Sequence, residues 1–273
     1  MCIRDRYYPT RTETGILRAN LGAIVESLGE RALLVEPGSG SSLKTRLLLD
    51  AMPTLSGYVP VDISREHLLR AARRLNAAYP RLEILPVCAD FMAPFPLPLP
   101  RHHVPSRIVF FFPGSTIGNL ERDAAHALLA SLREAAGRRG GLLVGVDLVK
   151  DPAIIERAYN DGTGVTAQFN LNVLSHLNRE YGANFDLSRF QHRALWDAQH
   201  SRIEMQLVSR SAQRVQFAGE TLEFAAGEAL RTEYCHKYGV PEFGALARSA
   251  GWGSVDVWTD PQNLFSVHYL IGD

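Results

Sequence analysis

Five apolar segments in the first 150 residues stop abruptly at a glycine or an acid, and helical spacing separates most of them. The first, RALLVEPGSGS, reads as a buried strand from Arg31 to Val35 followed by a glycine turn. GYVPVDIS and LEILPVCAD end in Asp62 and Asp90, RIVFFFPGSTIGN runs into a glycine-rich turn, and GGLLVGVDLV is the fifth. Before and between them lie helical patterns. Residues 12–28 place Ile16, Leu17, Leu21, Ile24, Val25 and Leu28 on one stripe, LKTRLLLDAM follows the first strand, Ser64 caps a helix through about Asn76, and residues 121–137 form another. Only FMAPFPLPLPRHHVP, with its prolines, is excluded from regular structure. Unbroken apolar strands alternating with helices require right-handed crossovers, hence a doubly wound, Rossmann-like parallel α/β sheet.

The pattern changes after Lys150. Residues 151–181 are helical, with Ile154, Ile155, Phe169, Val173, Leu174 and Leu177 as apolar positions. From Phe190 to Phe224 the apolar period falls to two, as in RIEMQLVSR and QRVQFAG, the mark of antiparallel hairpins. VPEFGALARSAG returns to helix, and SVDVWTD and LFSVHYLIG close the chain as strands. The expected organisation is a ligand-binding α/β domain over residues 1–150 and 236–273, with an α+β substrate-binding subdomain inserted over 151–235. No internal repeat interrupts this order.

Composition narrows the function. Lys+Arg and Asp+Glu both number 29, so the formal net charge of the 273 residues is zero and no basic footprint for nucleic acid or an anionic membrane exists. Cys2, Cys88 and Cys235 are odd in number and widely spaced, which fits a reducing compartment without a disulfide framework. No apolar run approaches the roughly 20 residues of a membrane span, and Arg4 and Arg6 precede a polar segment, not the apolar core of a signal peptide. A cytoplasmic monomer without nucleic-acid or membrane partners is expected. The opening MCIRDR has no cap or apolar pattern of its own and reads as an assembly artefact or a truncation.

Chemistry concentrates at the strand ends. In Glu36-Pro-Gly-Ser-Gly40 the glycines let the backbone approach a ligand where a Cβ would clash. Leu43 occupies the third glycine position of a dinucleotide fingerprint, and Lys44 lacks the spacing of a phosphate-binding P-loop. Asp62 can accept both hydroxyls of a ribose, and Asp90 can accept an adenine amino group with Phe91 beside the ring. In an open α/β sheet these positions share the crevice at the carboxyl ends of the strands. Each acid alone is an ordinary cap or loop residue. Together, about 25 residues apart, they suit an adenosyl ligand that lacks a pyrophosphate.

Other constellations carry nothing. His102 and His103 lie in the proline-rich loop, and the nine histidines form no HExxH. Ser115 is not a nucleophile elbow, because the second glycine of GSTIG comes one position late. Cys235 lacks an arranged histidine and acid. No residue is marked as a general base, and no metal is expected.

YYPTRTETG, EPGSGSS with Lys44, VPVDIS, ADF, FFPGSTIGN, AYNDGTGVTAQFNLNVL and TEYCHKY together resemble the histidine-specific N-α-methyltransferase family of ergothioneine biosynthesis, from Tyr7 to near the end. The resemblance implies a class I methyltransferase fold with an additional substrate-binding domain, and S-adenosylmethionine as cofactor. It assigns Gly38 and Lys44 to the cofactor turn and the helix after it, Asp62 to the ribose, and Asp90 and Phe91 to the adenine. It assigns Asn119 and Tyr159 to the substrate carboxylate and Tyr8 and Glu233 to the imidazole. Where the family usually has a serine two residues after that glutamate, this chain has Cys235, a weaker hydrogen-bond partner, which bears on selectivity for histidine. The resemblance also implies a segment upstream of YYPTR that helps close the active site, and the reading of MCIRDR as an artefact or truncation carries the expectation that this segment is cut short.

The implied reaction is three methyl transfers to the α-nitrogen of L-histidine. Its nearest rival is the same chemistry on another amino acid or amine, with Cys235 and Met205 reshaping the side-chain pocket. A nicotinamide-dependent oxidoreductase is opposed by the missing third glycine, and a non-catalytic adenosyl-binding regulator is the remaining alternative.

Overall fold

The computed structural model describes residues 8–40 and 43–272. The reading of MCIRDR falls outside them. The described chain forms two compact units. The larger comprises Thr12–Leu148 and the chain from Tyr238 onward; the smaller comprises Val149–Lys237 with the residues of the first helix up to Arg11.

In the larger unit the strands are β1 (Ala32–Pro37), β2 (Gly57–Asp62), β3 (Val87–Cys88), β4 (Arg107–Phe112), β5 (Gly141–Asp147), and the two that close the chain, Trp252–Thr259 and Phe265–Gly272. These last two are β11 and β12 once the smaller unit's five strands are counted. The sheet order is β11-β12-β5-β4-β1-β2-β3. β1 to β5 pair in parallel, and β12 enters antiparallel between β5 and β11. The chain reverses its direction of winding between β1 and β4, the switch point where ligands bind in such sheets.

Alternation along each strand splits the apolar side chains between two faces. Leu33, Val35, Phe110, Phe112 and Val144 face the helices α5 (Arg122–Ala136) and α8 (Val240–Ser249). Leu34, Val109, Phe111 and Leu143 face α1 (Tyr8–Ala19), α2 (Leu21–Leu28) and α3 (Leu43–Ala51). With both faces covered, β1 and β5 are buried along their whole length.

Three details differ from the sequence reading. The stripe over 12–28 is two helices, broken at Asn20, whose side-chain amide donates to the carbonyl of Ile16 at 2.9 Å. The third strand shrinks to Val87–Cys88, because Pro86 has no amide for the ladder; Ile84 keeps only an isolated bridge to Tyr58. Ser64 starts α4 (Arg65–Ala78) without a side-chain cap; its own backbone amide donates to Asp62 instead.

In the smaller unit, α6 (Pro152–Tyr159) and α7 (Val165–Tyr181) precede β6 (Phe190–Asp197), β7 (Arg202–Ser209), β8 (Gln213–Phe217), β9 (Glu220–Phe224) and β10 (Ala229–His236). The helical stretch 151–181 is therefore two helices. The strands form an antiparallel sheet ordered β10-β7-β6 and a separate β8-β9 hairpin. Its core gathers Leu174, Phe185, Phe190, Leu207, Val215 and Phe224.

Candidate active site

The larger unit carries the glycine turn and both strand-end acids. Gly38 and Gly40 hold φ of +69° and +33°, backbone that L side chains rarely adopt. The amides of Gly38 and Ser39 both donate to the carbonyl of Val61, at 2.8 and 3.3 Å, which draws the turn toward the end of β2. There Asp62 accepts the Ser64 amide through Oδ1 at 2.8 Å. At the end of β3, Asp90 accepts the Met92 amide through Oδ1 at 2.9 Å, and Phe91 packs edge-on against Phe112 with ring centroids 5.8 Å apart. In each acid Oδ2 takes no part in that turn. The rings of Phe91 and the backbone of Gly38 approach within van der Waals range: a Cβ on Gly38 would lie 3.6 Å from Phe91 Cε1.

These residues fit an adenosyl ligand. The turn, Asp62, and Asp90 with Phe91 end three adjacent strands, β1, β2 and β3. Ser39 is buried, yet its Oγ finds no hydrogen-bond partner among the described residues, the mark of a polar group placed for something bound. Asn119 ends a short 3₁₀ turn after β4, Thr116–Asn119, and is exposed. Ser115, which starts it, is held left-handed at φ 56° and accepts the amide of Asp147 at 3.0 Å, so its role is to brace the turn.

Lys44 is committed to a partner that the sequence reading passed over. Its ammonium pairs with Glu13 of α1, which is 1% exposed. Both oxygens of Glu13 also accept the amide of Gly114 at 2.9 Å. Burial pushes the Glu13 carboxyl above its ordinary range, while Lys44 and the Gly114 amide pull it back. A signal existed: Glu13 precedes Ile16 and Leu17 by three and four positions, so an acid stands on the buried face of its helix.

The smaller unit holds Tyr8, Tyr159, Glu233 and Cys235. The buried Tyr8 hydroxyl accepts from Lys150 Nζ at 2.7 Å, and that ammonium lies 4.4 Å from the ring centroid. Tyr159 ends α6, is 6% exposed, and is tied to β6 through its own carbonyl and through its neighbour Asn160. Its carbonyl accepts from His192 Nε2 at 2.8 Å, while the Asn170 amide donates to His192 Nδ1 at 2.9 Å, which places the ring hydrogen on Nε2. Asn160 exchanges hydrogen bonds with the backbone of Ala194, both at 2.9 Å.

β10 brings Glu233, Cys235 and, just past its end, Lys237 to one face, since alternate positions share a side. Lys237 is fully buried and donates to Tyr159 Oη at 3.0 Å and to Cys235 Sγ at 3.3 Å. The Cys235 thiol is directed at the carbonyl of His236, 3.9 Å away. Glu233 is half-buried; burial raises its carboxyl above the ordinary range, and the Lys237 charge works against that. Lys237 thus joins two of the expected residues, and only its place two positions after Cys235 in TEYCHKY hinted at it. Among the described residues no cluster could hold a metal ion, and no helix is long and apolar enough to cross a membrane.

A seven-stranded sheet with its antiparallel strand next to the edge, a glycine turn after β1 and acids at the ends of β2 and β3 defines a class I S-adenosylmethionine-dependent methyltransferase. The fold agrees with that of a solved S-adenosylmethionine-dependent methyltransferase from Clostridium acetobutylicum, at a TM-score of 0.53 and 11% identity over 95% of this chain and 90% of that one. The family model described as histidine-specific methyltransferase, SAM-dependent, matches residues 1–271, and the chain belongs to that family. It is 43% identical to the histidine N-alpha-methyltransferase of Mycolicibacterium smegmatis over 97% of this chain and 83% of the relative. Against the histidine N-alpha-methyltransferase of Mycobacterium tuberculosis the identity is 42%, over 96% and 81%.

Proposed function

We propose that this enzyme transfers three methyl groups in succession to the α-amino nitrogen of L-histidine, giving N,N,N-trimethylhistidine (hercynine), the first step of ergothioneine biosynthesis. What carries the substrate assignment is the near-complete alignment with two relatives named for histidine N-alpha-methylation. The acceptor carboxylate of Glu233, half-buried on β10, supports it, because a buried acceptor suits an imidazole N–H.

When bound, S-adenosylmethionine supplies an electrophilic methyl on a sulfonium, so alignment is the main task left to the protein. In this reading the Gly38 turn would let the cofactor lie close against the main chain, Asp62 would accept the ribose hydroxyls, and Asp90 and Phe91 would hold the adenine. Lys44 pairs with the cofactor's carboxylate, its one anionic group. Asn119 and Tyr159 hold the carboxylate of the amino acid, and Tyr8, Glu233 and Cys235 surround its side chain. In this division of labour residues 1–150 and 236–273 hold the cofactor and 151–235 the amino acid, with Tyr8 and Asn119 of the first segment also assigned to the amino acid. A free α-amine titrates at roughly 8 to 9, and transfer into a dry site lowers that value, so desolvation readies the nitrogen without an assigned base. The enzyme works as a cytoplasmic monomer on a free amino acid, with no nucleic-acid or membrane partner.

Cys235 favours one second reading, the same transfer to another amino acid or amine, because its sulfur is a weaker partner than the family's usual serine. Mass spectrometry of each free amino acid after incubation with S-adenosylmethionine separates the two. Mono-, di- and trimethylhistidine should appear in sequence, and Glu233→Ala should lower the histidine-to-tryptophan efficiency ratio about tenfold by orphaning an imidazole N–H. Methylation of a different amine with histidine untouched would select the second reading. An unchanged ratio would remove Glu233 from the imidazole.

A further inference from the structure

α1 places a carboxylate where the cofactor side of the sheet is assembled. Glu13 reaches three separate pieces of the larger unit: the ammonium of Lys44 at the start of α3, the amide of Gly114 after β4, and the backbone of β5 at Gly145. The last contact is one of accommodation. A Cβ on Gly145 would run into Glu13 Oε1, so the glycine keeps room for the carboxylate. Gly114, at φ +83°, turns its amide inward to meet the same group, and a Cβ there would come within 3.7 Å of Lys44 Nζ. Two glycines and a buried ion pair thus converge on one side chain of a helix. Burying a carboxylate at this depth is costly, and an apolar residue would pack α1 more cheaply.

We propose that Glu13 is a positioning residue for the cofactor site: it holds the Lys44 ammonium in place and aimed, so that Lys44 can pair with the carboxylate of the methionine moiety. This rests on the assignment of Lys44 to the cofactor made above. An ammonium has three donors and Glu13 engages one, so a second carboxylate is met without breaking the first pair. Lys44 is only 14% exposed in its side chain, and the flexible stem of a lysine takes its direction from the carboxylate it meets there. Through Gly114, Glu13 also fixes the start of the turn that ends at Asn119.

The test is calorimetric binding of two ligands that differ in the amino-acid end. S-Adenosylhomocysteine carries its carboxylate and ammonium; 5′-methylthioadenosine has the same adenosyl and thioether parts without either, and Lys44→Met singles out the carboxylate's partner. Glu13→Gln keeps an acceptor for Gly114 and removes the charge. It should weaken S-adenosylhomocysteine about tenfold and change methylthioadenosine by less than about twofold. Lys44→Met should show the same contrast, and adding Glu13→Gln to it should cost nothing more, because the two act as one unit. Gly145→Ala, which displaces the carboxylate without altering it, should reproduce the selective loss and covers the case in which Glu13→Gln does not fold. Equal weakening of both ligands, additive losses in the double variant, or tighter S-adenosylhomocysteine binding by Glu13→Gln would overturn the proposal. If Lys44→Met binds S-adenosylhomocysteine as the wild type does, the cofactor assignment of Lys44 itself falls, a result distinct from a failure at Glu13 alone.

Discussion

Glu36 shows how one residue of a recognisable motif can have a second function that the motif hides. It opens EPGSG, yet its own side chain turns into the larger unit, where it accepts from Thr45 Oγ1 at 2.6 Å and Tyr58 Oη at 2.5 Å. Burial pushes its pKa up from 4.5 to about 7, against the pull of those two hydrogen bonds. Between those two values the folded protein holds a proton that the unfolded chain has released. Stability therefore falls as pH rises from about 4.5 to 7 and levels off above, by about 3 kcal/mol for a shift of this size. Glu36→Gln keeps the acceptor and cannot titrate. Urea midpoints at pH 5, 6, 7 and 8 should fall with pH in the wild type more than in the variant, with the gap growing until pH 7. Parallel lines would assign the titration to another group. The glycines and acids of the site were legible because they sit at the junctions of locally periodic segments. The pairings of Glu13 with Lys44, of Lys237 with Tyr159 and of Glu36 with Tyr58 were not, because each joins residues from elements that the sequence separates.

At the level of elements, the order of strands and helices could be read from periodicity, while breaks within a helical stretch could not. Residues 151–181 keep apolar positions on both sides of Asn160-Asp161-Gly162-Thr163-Gly164, so the pattern runs across an interruption that the glycines announce. The structure ends α6 at Tyr159 and begins α7 at Val165, with Asp161 serving the new helix. Its carboxylate accepts the amides of Val165 at 3.1 Å and Thr166 at 2.8 Å, and the hydroxyl of Thr163. Burial works against the charged form, but those hydrogen bonds outweigh it and hold the group well below the usual carboxylate range. These are amides that a helix start leaves without partners. Asp161→Ala should therefore lower stability by about 1 kcal/mol, and Asp161→Asn by less, since an amide oxygen still accepts. Denaturant midpoints for the two variants check this; Asn as damaging as Ala would mean that the charge, not the acceptor, supports α7. The short third strand has a similar origin. LEILPVCAD has the composition of a buried strand, and a single proline without an amide restricts pairing to Val87 and Cys88.

At the scale of the whole molecule, each of the two units has an apolar cluster of its own among the described residues. The cluster around Leu174, Phe190, Leu207 and Phe224 shares no member with the two clusters that line the faces of the seven-stranded sheet. Sequence made the change of architecture visible, because a parallel sheet covered on both faces reads as continuous apolar runs and an antiparallel sheet reads as alternation. It did not show that the first helix is divided, with its residues up to Arg11 grouped with the smaller unit and Thr12 onward with the larger. Separate cores imply separate opening equilibria, which native-state hydrogen exchange resolves. The ligand assigned to the ends of β1, β2 and β3 stabilises the unit that contains them, by about 2.7 kcal/mol at a hundredfold excess over its dissociation constant. S-Adenosylhomocysteine at that concentration should slow the most protected amides of β1 and β4 about a hundredfold, where exchange reports the opening equilibrium. Amides of β6 and β7 that open with the smaller unit's own core should change by less than about threefold. Equal slowing in both sets would show that the chain opens as one cooperative block. Slowing confined to β6 and β7 would move the cofactor to the smaller unit, contrary to the assignment of Asp62 and Asp90.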